Sequence, residues 1–474
     1  MIPLERFPIF ARLARCRTST EAIHGKSKEK KYRKLDRNLP VMRPNAAGID
    51  IGATEIFVAV PADRDAESVR SFPSFTQDLH ELADWLQRCR VDTVAMESTS
   101  VYWIPLFQIL EARGIEVHLV NAQHVHHVPG RKSDVMDCQW LQYLHSVGLL
   151  RASFRPEQAV CEIRSLMRHR ENLVQMACVH VQHMHKSLDQ MNLQIHHVIS
   201  DITGLTGLSI VDAIVAGQTN PEELAKLRNH RIRASPETIR KSLVGDYRRE
   251  HIFTLKQSLT AYRYYQQLIA DCDREIQDRI EKFQDHGDPS APAESCDKSP
   301  LTTAPTFDLR SHLERIFGVD LTLVPGFDVL RIQTVFSELG VDLSAKFSTE
   351  DAFSSWLNLS PKDGFSAGRR IRGPKIKTKN RVTQVFRMAA QSLHNSQCYL
   401  GHYYRSQRAR HGAPKATKNT AHKLARIFFH LVTTRQPYDE TVFSKLEARN
   451  QQRQFRKLQS LAKQMGYSLV QTTS

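Results

Sequence analysis

The chain has 474 residues, of which 66 are Lys or Arg and 50 are Asp or Glu, and its formal net charge is +16 at pH 7. This length allows two or three domains, and a hydrophobic content of 41% allows packed cores, which excludes a disordered chain. No apolar run approaches the length of a membrane span, so we expect no membrane partner. The excess of cations suggests a polyanionic partner such as nucleic acid, although a merely basic surface would also account for it.

The cysteines and the N-terminus bear on where the protein works. The eight cysteines are scattered through apolar patterns and form no CxxC pair, which is typical of reduced thiols rather than of a disulfide framework. The first twenty residues lack the apolar core of a signal peptide. We therefore expect a cytoplasmic protein.

The first half of the chain predicts a basic tail followed by an α/β domain. Residues 1–42 contain the charge run "KSKEKKYRKLDRN", which has few apolar residues and is typical of a solvated arm or a nucleic-acid-binding arm. From Gly48, two apolar segments around a glycine turn predict a pair of strands, and alternating helical and strand patterns follow. This order indicates a sheet with parallel central strands, which we place in residues 43–155.

The second half predicts mainly helices. Residues 156–285 show apolar spacings of three, four and seven, which favour two long helices and suggest an antiparallel coiled coil. Residues 286–310 have the composition of a linker. Residues 311–440 predict a mostly α-helical C-terminal domain, and residues 441–474 a basic helix. The segment "LTLVPGFDVLRIQTVFSELG" reads as helix, Pro-Gly turn and helix, which suits either a phosphate-binding helical hairpin or an ordinary packing unit.

Four carboxylates stand out. Asp50 lies within an apolar strand pattern, where a carboxylate is costly without a partner, and Glu97 ends the strand "TVAME". Because adjacent parallel strands end at the same edge of a sheet, these two side chains could converge. Asp134 and Asp137 are spaced to share one helical face, although they could equally be ordinary residues of a first turn. Clustered carboxylates would favour Mg²⁺ or Mn²⁺.

A basic segment surrounds Ser366. Between Gly368 and Arg381 there are seven Lys or Arg and no acidic residue, which indicates a solvated surface or a phosphate clamp. Adjacent cations could support attack by the Ser366 hydroxyl on phosphorus, but chemistry alone favours an ordinary turn serine over a nucleophile.

Several segments resemble one family. "GIDIG", "AMESTSVYW" and "NAQHVHHVPGRKSDVMDCQWL" are similar to the RuvC-like, RNase-H-type domain of the DEDD transposases of the insertion-sequence-110 family, and the segments around Ser366 and "NRVTQVFRMAAQSL" resemble its C-terminal domain. The resemblance implies an α/β RuvC-like domain with a metal-binding DEDD set, joined by a coiled coil to a domain with a catalytic serine. The positions that match are Asp50, Glu97, Asp134, Asp137 and Ser366.

The resemblance also implies partners. They are donor and target DNA, a guide ("bridge") RNA, and further copies of the chain in a dimer or tetramer, acting at the nucleoid of a prokaryotic cell. We expect the phosphates to be contacted by Arg131, Lys132, Arg369, Arg370, Arg372, Lys375, Lys377 and Lys379.

Three other functions compete with this interpretation. A RuvC-like nuclease would use the same acidic residues with water instead of serine. An actin-like ATPase or sugar kinase would use "DIGATE" as a phosphate hairpin, but a second phosphate loop and a Gly-rich adenosine site are not found. A non-catalytic RNA-binding module would leave the acidic residues unexplained.

Overall fold

A computed structural model describes residues 39–98, 100–121, 134–284, 304–360, 364–366, 369–371, 380–443, 452, 455–456 and 458–467. For residues 134–136, 364–366 and 369–371 the description concerns the backbone alone. The chain divides into two compact units between Phe154 and Arg155. Within the described part of the chain, no helix combines the length and the apolar character needed to cross a membrane.

The first unit is built on a mixed five-stranded sheet with the order β3-β2-β1-β4-β5. Strands β1 and β2 form an antiparallel hairpin, β3 extends it, and β1, β4 and β5 run parallel. This confirms the predicted hairpin and the parallel central strands. The strands are β1 (Ala46–Ile51), β2 (Glu55–Ala59), β3 (Val69–Pro73), β4 (Thr93–Glu97) and β5 (Glu116–Val120).

The two faces of the sheet are covered by different helices. Ile49 and Met96 belong to the larger core, shared with α1 (Thr76–Arg88) and α2 (Trp103–Ala112). Ala95 belongs to a smaller core on the other face, shared with α3 (Asp134–Ser146). Since successive strand residues point to opposite faces, every second residue of β1 and β4 faces α3.

Gly48 determines how closely α3 approaches the sheet. A methyl group at Gly48 would lie 2.2 Å from the backbone nitrogen of Gln142 and 2.3 Å from the backbone oxygen of Cys138. Further along, the Gln142 side chain donates to the carbonyl of Ala46 at 3.2 Å, and Met42 donates its N–H to the carbonyl of Ser146 at 2.8 Å. The helix therefore runs antiparallel to β1, and its first turns lie at the carboxyl end of that strand.

Residues 458–464 of the second unit are helical, and twelve further α-helices have defined bounds among its described residues. They are α4 (Gln158–Gln190), α5 (Ile195–Val198), α6 (Leu205–Val215), α7 (Pro221–Lys226), α8 (Pro236–Ser242), α9 (Arg249–Ile280), α10 (Leu309–Phe317), α11 (Val329–Leu339), α12 (Glu350–Trp356), α13 (Arg381–Ser392), α14 (Tyr399–His411) and α15 (Ala413–Thr434).

The two long helices α4 and α9 pack antiparallel to each other. Arg279 pairs with Glu162 near one end, Arg170 with Asp273 in the middle, and the hydroxyls of Ser187 and Thr254 meet at the other end. These contacts confirm the predicted pair of long helices; a supercoil between them stays a prediction. The middle pair is buried, and burial makes such a pair strongly dependent on both partners.

The helical pair continues into the C-terminal helices. Arg164 of α4 donates to the backbone carbonyls of Ser337 and Glu338 at the end of α11, at 3.0 and 2.9 Å. A core rich in phenylalanine joins α11 to α12, α13 and α15, with Phe336, Phe353, Phe386 and Phe428 among its fully buried side chains.

One helix predicted in this region is wrong. Leu321–Leu323 forms a single 3₁₀ turn capped by Asp320, and Val324 is extended because a proline follows it. A methyl group at Gly326, which has φ +95°, would lie 2.6 Å from the carbonyl oxygen of Ala389. The Pro-Gly turn thus packs tightly on α13, which favours the ordinary packing unit over the phosphate-binding hairpin.

Part of the predicted basic loop is a hairpin. Strand β6 (Gly364–Ser366) pairs antiparallel with β7 (Arg369–Ile371), and Ser366 stands opposite Arg369.

We predict that Gly48→Ala destabilises the first unit. The new methyl group would meet two backbone atoms that cannot rotate away, so α3 would have to lift from the sheet, and overpacking of this kind costs about 1–3 kcal/mol or more. The measurement is the midpoint of thermal unfolding. The matched control is Gly204→Ala, where the methyl group would have only one neighbour, at 3.4 Å. Equal midpoints for both variants and the parent protein would contradict the close approach.

Candidate active site

Asp50 and Glu97 lie side by side at the carboxyl edge of the sheet. The parallel register pairs Ile49 of β1 with Met96 of β4, so the next residues of the two strands are neighbours and point to the same face. This is the face that Gly48 and Ala95 present to α3. Glu97 is only 8% exposed and Asp50 is half-buried. The two carboxylates therefore share a site with restricted access to water.

Helix α3 brings Asp137 to the same edge. The carbonyl of the neighbouring Cys138 lies against Gly48, and Asp50 comes two residues later on that strand. Asp137 is half-buried, and its Oδ1 atom is fully buried. Asp134 begins the helix one turn earlier, where its backbone alone is described.

The carboxylates of this edge affect the pKa of the Cys138 thiol. Burial raises the pKa of Cys138 to about 12, and the charges of Asp50 and then Asp137 act in the same direction. Both carboxylates are thus near enough to the thiol to oppose formation of a thiolate.

The side chains that meet at this edge fit a hard divalent cation. Asp50, Glu97 and Asp137 offer carboxylate oxygens. Oxygen ligands of this kind suit Mg²⁺ and Mn²⁺, whereas zinc and softer ions prefer nitrogen and sulfur. A divalent cation would also offset the repulsion among carboxylates that are partly removed from water.

The far end of α3 is anchored by His145, which sequence reasoning missed. The imidazole is buried between Thr93 Oγ1, at 2.9 Å, and a guanidinium nitrogen of Arg43, at 3.2 Å. Burial lowers the pKa of His145 to about 3, with further lowering by His118 and Arg43, so the ring is neutral at physiological pH. The only signal in the sequence is a histidine among the apolar residues of "WLQYLHSVGLL".

Ser366 lies in the second unit, at the end of β6. Its backbone pairs with that of Arg369, the first residue of β7, and Arg370 pairs with Phe365. The other cations expected to contact phosphate lie outside the described residues and stay predictions: Arg131, Lys132, Arg372, Lys375, Lys377 and Lys379.

Residues of the first unit and of helix α4 match a known protein family. Residues 47–193 match the family model described as "Transposase", the DEDD type of the insertion-sequence-110 family. These residues form an insertion-sequence-110 transposase domain. The matched range spans the sheet, α1 to α3 and the long helix α4, and it includes all four predicted DEDD positions. None of the curated proteins compared with the chain matches it.

The match supports a DNA transposase or recombinase and makes DNA the expected partner. It also weighs against the sugar kinase and the RNA-binding module, since neither is described by this family. The transposase domain thereby carries the acidic edge, and the basic hairpin with Ser366 belongs to the other part of the chain.

We predict that Asp137→Asn lowers DNA strand cleavage at least about 100-fold, the scale expected when a group that supports transition-state charge is removed. The change keeps the shape of the side chain and removes its charge. The measurement is cleavage of labelled DNA carrying the ends of the element. The matched control is Asp92→Asn, an exposed aspartate at the opposite end of the same sheet, which should retain cleavage. Parental cleavage by Asp137→Asn would remove this residue from the site.

Proposed function

We propose that the protein cuts and rejoins DNA strands, with the acidic edge and Ser366 as the two halves of its chemistry. The observation that carries this proposal is the meeting of Asp50, Glu97 and Asp137 at one edge of a domain that matches the transposase family. Among the described residues of this edge, the carboxylates are supplied by three different elements, β1, β4 and α3.

Asp50, Glu97, Asp134 and Asp137 would hold Mg²⁺ or Mn²⁺ at this edge. A bound ion of this kind stabilises charge on the oxygens of a reacting phosphate. The protein's own part is to fix the carboxylates before DNA arrives. The register of β1 and β4 fixes Asp50 and Glu97, and the contact of α3 with Gly48 fixes Asp137. Preorganised groups need no rearrangement when charge develops.

Ser366 is proposed as the nucleophile. Its Oγ forms a bond to the phosphorus of a phosphodiester, one bridging P–O bond breaks, and the departing deoxyribose oxygen takes up a proton and leaves as a hydroxyl. Rejoining is the reverse step, in which a deoxyribose hydroxyl attacks the serine–phosphate ester and releases Ser366. The total number of phosphate ester bonds is conserved, so the exchange of strands needs no ATP.

The basic hairpin suits this role because its register places Arg369 opposite Ser366. We propose that Arg369 and Arg370, with Arg372 and the lysines that follow, bind the scissile phosphate and its neighbours. Guanidinium groups bind phosphate with two parallel hydrogen bonds and stay charged at every physiological pH.

A guide RNA and an oligomer complete the proposal. The resemblance implies that RNA pairs with donor and target DNA, and the net charge of +16 supports a polyanionic partner. The acidic edge and Ser366 belong to separate units of the chain. The resemblance implies that the acidic edge of one copy works with Ser366 of another, and we propose this arrangement in a dimer or tetramer.

The main rival is a metal-dependent nuclease that uses water. The acidic edge lies within one unit and could support hydrolysis without Ser366. The two functions differ in one product: the recombinase passes through a covalent bond between protein and DNA, and the nuclease leaves only free ends.

We predict that Ser366→Ala keeps DNA binding but forms no covalent adduct. The test uses a nicked, labelled suicide substrate, denaturing electrophoresis and peptide mapping of the adduct. The matched control is Ser355→Ala, which removes an exposed hydroxyl upstream of the basic segment and should form the adduct as the parent does.

Two results would overturn the serine assignment. One is an adduct that persists in Ser366→Ala. The other is efficient cleavage by the parent protein that leaves only free DNA ends, which would favour the water-using nuclease.

We predict that the purified protein carries RNA of defined sequence from the flank of its own gene. The measurement is sequencing of RNA recovered at moderate salt, followed by recombination assays with and without RNase. Because electrostatic binding alone selects no sequence, it would recover only mixed cellular RNA. Mixed RNA, together with recombination that survives RNase, would contradict a guide.

A further inference from the structure

The second unit contains a cluster of side chains that can bind a metal, well before the basic hairpin in the sequence. Asp189 is in the last turn of α4, and His196 and His197 are in the short helix α5 that follows. One ligand atom from each of these three residues can be chosen so that all three lie within 4.8 Å of one another. This group follows no cysteine or zinc-finger spacing, so no pattern in the sequence indicates it.

The geometry within the cluster is close to that of a metal site. Nε2 of His196 lies 3.2 Å from Oδ1 of Asp189, and the rings of His196 and His197 have centroids 4.1 Å apart. Two ligands on a tetrahedral zinc ion are roughly 3.4 Å apart, given bonds of about 2.0–2.1 Å. The first pair is close to this distance, and the ligand atom of His197 lies within 4.8 Å of both.

His196 is the best-defined member. Its side chain is only 6% exposed, and the ring of His185 stacks on it at 4.9 Å. Nδ1 of His196 is buried and receives no hydrogen bond of regular geometry. If Nε2 carries the proton, it faces Asp189 and Nδ1 is left as an acceptor without a regular donor. If Nδ1 carries the proton, the lone pair of Nε2 faces the carboxylate of Asp189. Both neutral tautomers therefore leave one ring nitrogen poorly satisfied, which is unusual for a buried polar group.

Backbone hydrogen bonds fix the turn that precedes the two histidines of the cluster. Asn192 turns the chain with φ 53°, and the carbonyl of Met191 accepts from the N–H of Asp246 at 2.9 Å. The N–H of Gln194 donates to the carbonyl of Ser242 at 2.8 Å. Gly245 packs against Met191 so closely that a methyl group there would lie 2.2 Å from its carbonyl oxygen. Ligands carried on such a fixed turn lose little freedom on binding.

We propose that Asp189, His196 and His197 bind a transition-metal ion, zinc foremost, which ties the end of α4 to α5. Two imidazoles and one carboxylate are the ligand types of zinc sites, and water would complete the tetrahedron. The site differs in chemistry from the acidic edge, whose oxygen ligands suit magnesium. This site is independent of the proposed recombination chemistry.

The test measures zinc bound to the untagged full-length protein. The protein is stripped with a chelator, loaded with zinc, desalted and analysed for metal by mass spectrometry. The parent should retain one zinc ion per chain, and His196→Ala/His197→Ala should bind at least about tenfold more weakly, since even loss of an outer partner weakens metal binding by 10–100-fold. The matched control is His180→Ala/His183→Ala, which removes two neighbouring histidines of α4 whose rings contact each other.

Three outcomes separate this site from its alternatives. Asp50→Asn should retain zinc, and loss of zinc there would place the ion at the acidic edge and overturn the proposal. Equal retention by the parent and His196→Ala/His197→Ala would overturn it, as would equal loss in the control variant. Recombination is scored separately, so failure of the serine chemistry would leave the zinc result standing.

A second readout guards against misfolding of the double variant. Asp189→Asn changes an exposed side chain and should fold, yet it should weaken zinc binding. In the parent, zinc should slow hydrogen exchange at α5 and in the turn before it. Cobalt in place of zinc should give the visible absorption of a four-coordinate site. Unchanged exchange together with the absence of that absorption would contradict the proposal.

Discussion

The contact between Gly48 and the backbone of α3 is the constraint on which the acidic edge depends. A side chain at this position would push the helix away from the sheet, since backbone atoms of Cys138 and Gln142 occupy the space. With glycine there, the first turns of α3 descend to the end of β1, and Asp137 arrives beside Asp50. The same helix is held at its other end by His145, which is buried against Thr93. The absence of a side chain at Gly48 and the neutral imidazole of His145 thus position α3. This helix adds the carboxylate of Asp137 to those that the sheet supplies.

The carboxylates of Asp50, Glu97 and Asp137 bring several negative charges close together, which lowers the stability of the fold. The side chain of Glu97 and the Oδ1 atom of Asp137 are buried. Burial, and then the charges of Asp50 and Asp137, raise the pKa of the Cys138 thiol to about 12. Partly buried like charges destabilise a fold unless cations or hydrogen bonds offset them. A divalent cation would offset this repulsion at the carboxylate oxygens. The same oxygens would then serve both the stability of the edge and its chemistry.

The sequence predicts the sheet well because apolar periodicity is a local pattern. The hairpin after Gly48, the parallel central strands and the ends of β1 and β4 follow from apolar periodicity, and Asp50 is conspicuous within an apolar strand. Strand β3 was not predicted, since Val69–Pro73 has a charged, half-exposed pattern with a proline. The helix predicted over Leu321–Leu323 is a 3₁₀ turn because Asp320 caps it and Pro325 limits it. The role of His145 and the cluster at His196 depend on packing between distant segments, and no local pattern reveals such contacts.

Anomalous diffraction from crystals soaked in Mn²⁺ tests whether β1, β4 and α3 form one divalent-cation site. We expect a manganese peak bonded to carboxylate oxygens of Asp50, Glu97 and Asp137, at the distances of about 2.0–2.6 Å that hard cations keep from oxygen. Crystals of Asp50→Asn soaked in the same way should show a weaker peak or none. A fully occupied manganese ion elsewhere in the molecule, with none at this edge, would contradict the account.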